Sequence, residues 1–331
     1  MQQEEIYDLT IIGGGPVGLF GLFYAGMREM KTKVIDSLEQ LGGQLIAIYP
    51  EKFIYDMPGF PRIKAKDLVR DMVEQGLQYG ATTVLGEKVQ TLRRREDQIW
   101  ELCTDVGALH LSKTVVITVG AGGFAPRRLD LPGLRDLEGR DVFYFVTDLE
   151  VFRDRDLLII GGGDSAVDWA LHLEGIAKSL SLCHRRDKFR AHEGSIKELL
   201  SSSCEVNLFW EVKALHIEDE RLRGVTIFHN KTGEERELGV DAMILSLGFH
   251  ADLGPIREWG LEIEKGAINV NSRMETNLPG VYAAGDVAAY DGKLKLIATG
   301  TGEVAVAVNY AKTFIDPTAR AFPGHSSELI K

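Results

Sequence analysis

Two stretches of the chain carry nearly the same phrase: DLTIIGGGPVGLF, Asp8 to Phe20, and DLLIIGGGDSAVD, Asp156 to Asp168. Each runs from an apolar segment through glycines into a helix-forming sequence. In the first, Gly13, Gly15 and Gly18 satisfy G-x-G-x-x-G. In the second, Gly161, Gly163 and Ala166 fill the same places, alanine being allowed third. The first glycine permits a tight turn, the second lets backbone approach a pyrophosphate, and the third residue lets the helix pack close to the strand. The phosphate then sits at the helix N-terminus, where free N–H groups and the dipole favour negative charge. A lone match is weak, but each copy here follows a strand pattern and opens a helical one, which is the context the motif requires. One copy implies one nucleotide. Two imply two nucleotides that must meet.

Working outward, YDLTII (7–12), a helix from Pro16 to about Met30 and TKVID (32–36) predict a β-α-β unit. RDLLII (155–160), a helix over about Asp164 to Leu173 and SLSLCHR (179–185) predict a second. Such alternation implies parallel sheets covered by helices. The strand KTVVITVG (113–120) runs into the Gly- and Pro-containing AGGFAPRR, and DAMILSLGF (241–249) also ends near a glycine. These segments bracket the second unit. The expected fold is α/β, with two Rossmann-like dinucleotide-binding domains, the second inserted into the first: 1–120 and 249–331 form one domain, 121–248 the other.

The copies differ where the adenosine end of a dinucleotide is read. Counting equally from the first glycine, the first copy reaches Asp36 and the second His184, followed by Arg185 and Arg186. A carboxylate there accepts hydrogen bonds from a ribose 2′-hydroxyl and repels a 2′-phosphate. Arginines attract a 2′-phosphate, and their planar donors fit its oxygens. The first site should therefore take FAD or NAD and the second NADPH, with Arg190 a further phosphate candidate.

Bulk properties narrow the class. The 331 residues suit about two domains, and 44% hydrophobic with 26% charged residues is ordinary for a globular protein. A net charge of −11 argues against nucleic acid as a partner. MQQEEIYDLT lacks the basic and apolar regions of a signal peptide, and no apolar run is long enough to span a bilayer, so a cytoplasmic protein is expected. Cys103, Cys183 and Cys204 form no C-x-x-C and suit neither a disulfide framework nor a metal site.

GGGPVG, GGQL, GGGDSAVDWAL, HRRDKFRAHE and AAGD together resemble the thioredoxin-reductase class of flavoproteins over essentially the whole chain. The similarity is greatest to its thioredoxin-reductase-like (type 2) ferredoxin–NADP⁺ reductases. The resemblance implies an FAD domain built from both chain ends, with one non-covalent FAD per subunit, an inserted NADPH domain, and a homodimer. It assigns Asp36 to the FAD ribose, Gln44 to the flavin end and Tyr49 to stacking on the isoalloxazine. It further assigns Val89 to the adenine through its backbone, Phe124 to the flavin near the crossover and Asp286 to the ribitol side. His325 and Ser327 lie in the tail FPGHSSELIK, which resembles an extension covering the other flavin face. The His325 ring would hold the nicotinamide position until NADPH arrives.

One departure is informative. Thioredoxin reductases place a C-x-x-C pair just before the second glycine motif, where this chain reads DVFYFVTDLEVF, Asp141 to Phe152, without cysteine. A dithiol relay needs two thiols close enough to pair, so electrons must leave from the flavin itself. The expected activity is hydride transfer between NADP(H) and FAD, and single-electron transfer between FAD and ferredoxin or flavodoxin. Tyr49 and His325 then act by stacking, since hydride transfer needs no side-chain acid or base. The alternatives are an NADPH oxidase or diaphorase, and a redox-sensing flavin-binding interaction protein. The basic runs Arg62, Lys64, Lys66 and Arg93, Arg94, Arg95 read as solvated loops rather than a docking face.

Overall fold

The apolar run before the first glycine motif forms β1 (Ile6–Ile12) in the computed structural model, which describes residues 5–120, 122–322 and 324. The motif opens α1 (Pro16–Met27), and TKVID forms β2 (Thr32–Asp36). The sequence pattern predicts helix to about Met30. The helix stops at Met27, because Glu29 takes a left-handed backbone (φ 53°) and the Met30 N–H turns back to the Ala25 carbonyl. Then follow α2 (Ala65–Leu77), β3 (Thr82–Leu85), β4 (Val89–Arg94), β5 (Trp100–Thr104) and β6 (Leu109–Ile117).

The second half begins with β7 (Val142–Phe143) and β8 (Asp156–Gly161), and its glycine motif opens α3 (Asp164–Leu173). β9 (Ser179–His184), α4 (Glu193–Ser201) and β10 (Glu205–Leu208) follow. A three-stranded meander comes next, β11 (Trp210–Glu218), β12 (Arg221–His229) and β13 (Glu235–Leu238), and then β14 (Ala242–Ser246). The chain closes with β15 (Val281–Ala283) and α5 (Ile297–Ile315).

Contacts divide the chain into two units, Met1–Phe124 with Ala251–Lys331, and Ala125–His250. In the first, the strand order is β3-β2-β1-β6-β5-β4, with β3, β2, β1 and β6 parallel. The edge of β6 away from β1 serves two partners. Its first half pairs antiparallel with β5, and Val115–Ile117 pair parallel with β15. The returning chain thus completes the sheet that its N-terminal end began. Side chains alternate across that sheet. Leu9, Ile11, Val34 and Val116 pack with Leu19 and Leu22 of α1 and Val304 and Val308 of α5. Ile12, Ile35, Val115 and Ile117 pack on the opposite face with Trp100 and Trp259.

In the second unit, β7-β14-β8-β9-β10 form an all-parallel sheet. Helices do not cover all of it. Leu158, Ile160, Met243 and Leu245 pack with Trp210, Val212, Val225 and Ile227 of the antiparallel sheet β11-β12-β13. Both glycine motifs lie at the carboxyl ends of parallel strands, where open α/β sheets place ligands. Among the described residues no helix is long and apolar enough to cross a membrane.

Candidate dinucleotide sites

The first glycine loop is shaped by contacts that no side chain survives. Gly13 donates its N–H to the Ile35 carbonyl (2.9 Å) with φ 104°, and a Cβ there would lie 2.7 Å from the Thr118 carbonyl oxygen. A Cβ on Gly18 would fall 2.0 Å from the Gly13 oxygen, which the Thr118 hydroxyl already holds at 2.7 Å. Gly15 is different. It caps α1 without any side-chain hydrogen bond, and the nearest atom to a Cβ there is Gly43 Cα at 3.9 Å. The first turn of α1 therefore offers N–H groups without a capping side chain, behind a position whose protein side has room. That is the donor set a pyrophosphate fits. The Gly42 N–H reaches the Gly14 carbonyl (2.8 Å), so the GGQL loop backs onto the motif, and Gln44 Nε2 comes within 3.2 Å of a Cβ on Gly120.

Asp36 ends β2 beside this loop and is buried. Its oxygens accept from the Gly14 N–H (2.5 Å) and the Leu38 N–H (2.8 Å), and no cation pairs with it among the described residues. Burial pushes its pKa up, against the lowering pull of those two N–H groups. A carboxylate so placed keeps lone pairs for a hydroxyl and excludes a phosphate. The Glu87 N–H bonds the Asp36 carbonyl (3.1 Å), which sets buried Val89 two residues further on, at the start of β4 and beside a register shift against β5.

Tyr49 is half-buried, with the Lys52 ammonium 5.9 Å over its ring. Burial raises its phenol pKa, and the Asp286 carboxylate adds to the rise, so the two side chains share one neighbourhood. Asp286 lies in the turn Gly285–Val287, where three pieces converge. A Cβ on Gly285 would meet Val17 of α1 at 3.1 Å, and one on Gly300 of α5 would meet Val17 at 2.5 Å and Gly285 Cα at 3.2 Å.

Sequence reasoning missed what holds this turn. Glu303 of α5 is buried, and its carboxylate accepts from the Gly285 N–H (2.8 Å), the Tyr290 hydroxyl (2.6 Å) and the Lys293 ammonium. The Lys293 residue is half-buried with its side chain turned inward, and the Glu303 hydrogen bond, with burial, pushes the Tyr290 phenol up to about 12. The available signal was a lone carboxylate inside the apolar helix ATGTGEVAVAV (298–308).

The second loop repeats the first motif with alanine in place of its third glycine. A Cβ on Gly161 would lie 2.5 Å from the Ser246 carbonyl, and the methyl of buried Ala166 packs against that position at 3.0 Å. Gly163 caps α3 without a side-chain hydrogen bond, while the Asp164 carboxylate turns to the His192 N–H (3.1 Å). The segment after β9 folds back over this loop. The Arg190 N–H donates to the Gly162 carbonyl (2.6 Å), and the His184 ring packs against Gly162 and stacks on Phe189, centroids 5.1 Å apart. His184 Nε2 is committed to the Lys188 carbonyl (3.0 Å), so this ring shapes the loop. Its pKa is lowered by burial and by Arg185, Arg186 and Arg190, which places the three cations around it. Those three side chains are exposed, and none makes an ion pair or side-chain hydrogen bond among the described residues.

Phe124 falls in the short strand Gly123–Pro126 at the crossover, with its side chain outside the described set. His325 and Ser327 also lie outside the described residues. Five of the six cations in the basic runs contact a partner among the described residues. Glu51 binds both Lys64 (2.7 Å) and Lys66 (2.5 Å), Arg62 sits 5.0 Å over Phe53, Arg94 lies over Trp100 and Arg95 pairs with Asp97. All three cysteines are free thiols. Cys103 lies in the first unit, and burial pushes both Cys183 and Cys204 of the second up to about 12. Asp148 caps a short 3₁₀ turn by accepting from the Glu150 N–H (2.9 Å).

Known proteins share this arrangement. The family model for pyridine nucleotide-disulphide oxidoreductases matches residues 7–309. The ferredoxin–NADP reductase 2 of Shouchella clausii (strain KSM-K16) is 55% identical over 329 residues, 99% of each chain. The ferredoxin–NADP reductase of Symbiobacterium thermophilum is 55% identical over 328 residues, 98% of each. Among solved structures, the Lactococcus lactis thioredoxin reductase matches with a TM-score of 0.80 at 29% identity, over 93% of this chain and 99% of that one. Two glycine loops on two parallel sheets, one inserted in the other, and full-length identity at this level place the chain in the pyridine nucleotide-disulphide oxidoreductase family, among its ferredoxin–NADP reductases.

Proposed function

We propose that this flavoprotein oxidoreductase holds FAD in its first unit and NADPH in its second, and exchanges single electrons with ferredoxin, or with flavodoxin in its place. When bound, FAD supplies the redox chemistry, taking a hydride from NADPH and passing electrons on singly. The protein binds and orients. Gly13, Gly15, Gly18 and the first turn of α1 take the FAD pyrophosphate, Asp36 its ribose hydroxyls, and the Val89 backbone its adenine. Gln44, Tyr49, Phe124 and Asp286 line the flavin end, and the tail residues His325 and Ser327 cover it. Gly161, Gly163 and Ala166 take the NADPH pyrophosphate. His184 shapes the loop from which Arg185, Arg186 and Arg190 meet the 2′-phosphate.

The observation that carries this reading is the contrast between two equivalent strand ends. Among the described residues, one bears a buried carboxylate without a cation, and the other leads into a segment with three exposed guanidinium groups without an anion. The thiols, all free and none in a C-x-x-C pair, support an exit for electrons that bypasses any dithiol. We further propose that the protein is a cytoplasmic homodimer. The purified protein should be yellow, release one FAD per chain on denaturation, and be reduced by NADPH far faster than by NADH. Equal rates with both nucleotides would overturn the assignment of the arginines.

A further inference from the structure

The segment from Arg185 to Arg190 is tied down by its backbone, while its arginine side chains are exposed and make no ion pair or hydrogen bond among the described residues. At its centre, His184 holds the Lys188 carbonyl (3.0 Å). At its far end, the Arg190 N–H is held by the Gly162 carbonyl (2.6 Å). The third tie comes from a different sheet. Asn230, just past β12 in the turn to β13, donates from Nδ2 to the Arg185 carbonyl (2.9 Å) and to Glu211 Oε1 (2.9 Å). Its own N–H bonds the Phe209 carbonyl (2.8 Å), which fixes the turn itself. Both Nδ2 partners are acceptors, so the amide has one workable orientation. In that orientation Asn230 Oδ1 is buried and has no donor among the described residues. The site thus accepts an unpaired acceptor in order to hold Arg185, and a cost retained in this way points to a role.

We infer that Asn230 is a positioning residue for NADPH selectivity, acting through the Arg185 carbonyl to aim the Arg185 and Arg186 guanidinium groups at the 2′-phosphate. A guanidinium gains from a dianion in proportion to how little freedom it must lose on binding. Loosening the Arg185 end should weaken recognition of the 2′-phosphate alone. The adenosine and pyrophosphate are read elsewhere, so NADH, which lacks that phosphate, gains nothing from Asn230. This inference rests on the NADPH reading above.

The test compares Asn230→Ala, Asn230→Leu and Arg186→Ala with the unaltered full-length holoprotein, using NADPH and NADH as donors to ferricyanide. Inhibition by adenosine 2′,5′-bisphosphate, which carries the 2′-phosphate but no nicotinamide, supplies a readout independent of turnover. Asn230→Ala should raise the NADPH KM about fivefold to tenfold at unchanged kcat, weaken the bisphosphate in parallel, and leave NADH kcat/KM unchanged. Asn230→Leu keeps the size, removes the donor without adding charge, and should move the same parameters in the same direction. It decides the matter if the alanine variant is too unstable to assay. Unchanged NADPH KM and bisphosphate inhibition, or equal losses with NADH, would overturn the inference. If the unaltered protein shows no preference for NADPH, or Arg186→Ala does not reduce it, the NADPH reading itself fails. If Arg186→Ala acts and neither Asn230 variant does, only the role of Asn230 fails.

Discussion

Gly18 and Gly15 belong to the same motif, yet they answer to different neighbours. Gly18 is fixed by the protein, since a methyl there would overlap the Gly13 oxygen at 2.0 Å. Gly15 has 3.9 Å of room on the protein side, so nothing in the fold forbids alanine. Gly18→Ala should destabilise the first unit by about 3 kcal/mol or more through overpacking against backbone. Gly15→Ala should fold with nearly unchanged thermal stability and lose at least about tenfold in FAD affinity, as backbone approach to a pyrophosphate is blocked. Melting curves of the apoproteins with flavin-fluorescence titrations separate the two, and equal effects on both readouts would refute the distinction. At this scale the sequence was legible where chemistry imposes spacing. The glycines, Asp36 and the arginines follow from counting along a strand. Glu303, Lys293 and Asn230 did not, because each acts through a hydrogen bond to backbone far away in sequence, and no local spacing encodes it.

Two buried charge clusters hold elements in place. In the first unit, Glu303 joins α5 to the Gly285 turn and to Lys293. Removing one member of a buried pair strands the other, so Glu303→Gln should cost about 3–5 kcal/mol, whereas adding Lys293→Met should recover most of it. In the single variant Tyr290 should titrate well below its present value of about 12, as its hydrogen bond to a carboxylate is lost. An unshifted phenol in an ultraviolet titration would contradict this assignment. In the second unit, Asp141 precedes β7 and accepts from Arg155 (2.8 Å), Arg221 (2.8 and 2.9 Å) and the Leu222 N–H (3.0 Å), tying the parallel sheet to the antiparallel one. Burial pushes its carboxyl up, but Arg221, the Leu222 N–H and Arg155 outweigh it and bring the pKa from 3.8 to about 2. A lowered folded pKa means stability that is complete above about pH 5 and is lost as pH falls toward 2, about 2 kcal/mol in all. Asp141→Asn should abolish that part of the acid dependence in chemical denaturation, and an unaltered profile would refute it. The strands and helices that carry the motifs were readable from apolar runs. The end of α1 was not, because it depends on the left-handed backbone of Glu29, a residue type that gives no warning of it.

For the whole molecule, the repeated phrase was enough to read an inserted second nucleotide fold, because β6 and β14 each run into glycine-containing crossovers. The antiparallel sheet over one face of the second unit was not legible. Its strands look like ordinary half-buried strands, and only packing decides which sheet they cover. Membership of a family named for disulphide chemistry makes the missing thiol pair the decisive feature. Cys103 is in one unit, and Cys183 and Cys204 are buried with pKa values raised to about 12, far from the reactive range. A variant with all three replaced by alanine should keep turnover within about twofold per folded molecule, since the volume removed is small and no thiol takes part. Loss of turnover with flavin content intact would mean a thiol carries electrons after all.

The function turns on electrons leaving from the flavin directly to a one-electron carrier. It is tested most directly by cytochrome c reduction from NADPH through the purified holoprotein, with and without ferredoxin, beside a parallel assay of thioredoxin with a disulfide dye. The rate should depend strongly on ferredoxin, and thioredoxin should not be reduced. A rate indifferent to ferredoxin with rapid oxygen consumption, or any sustained thioredoxin reduction, would contradict it.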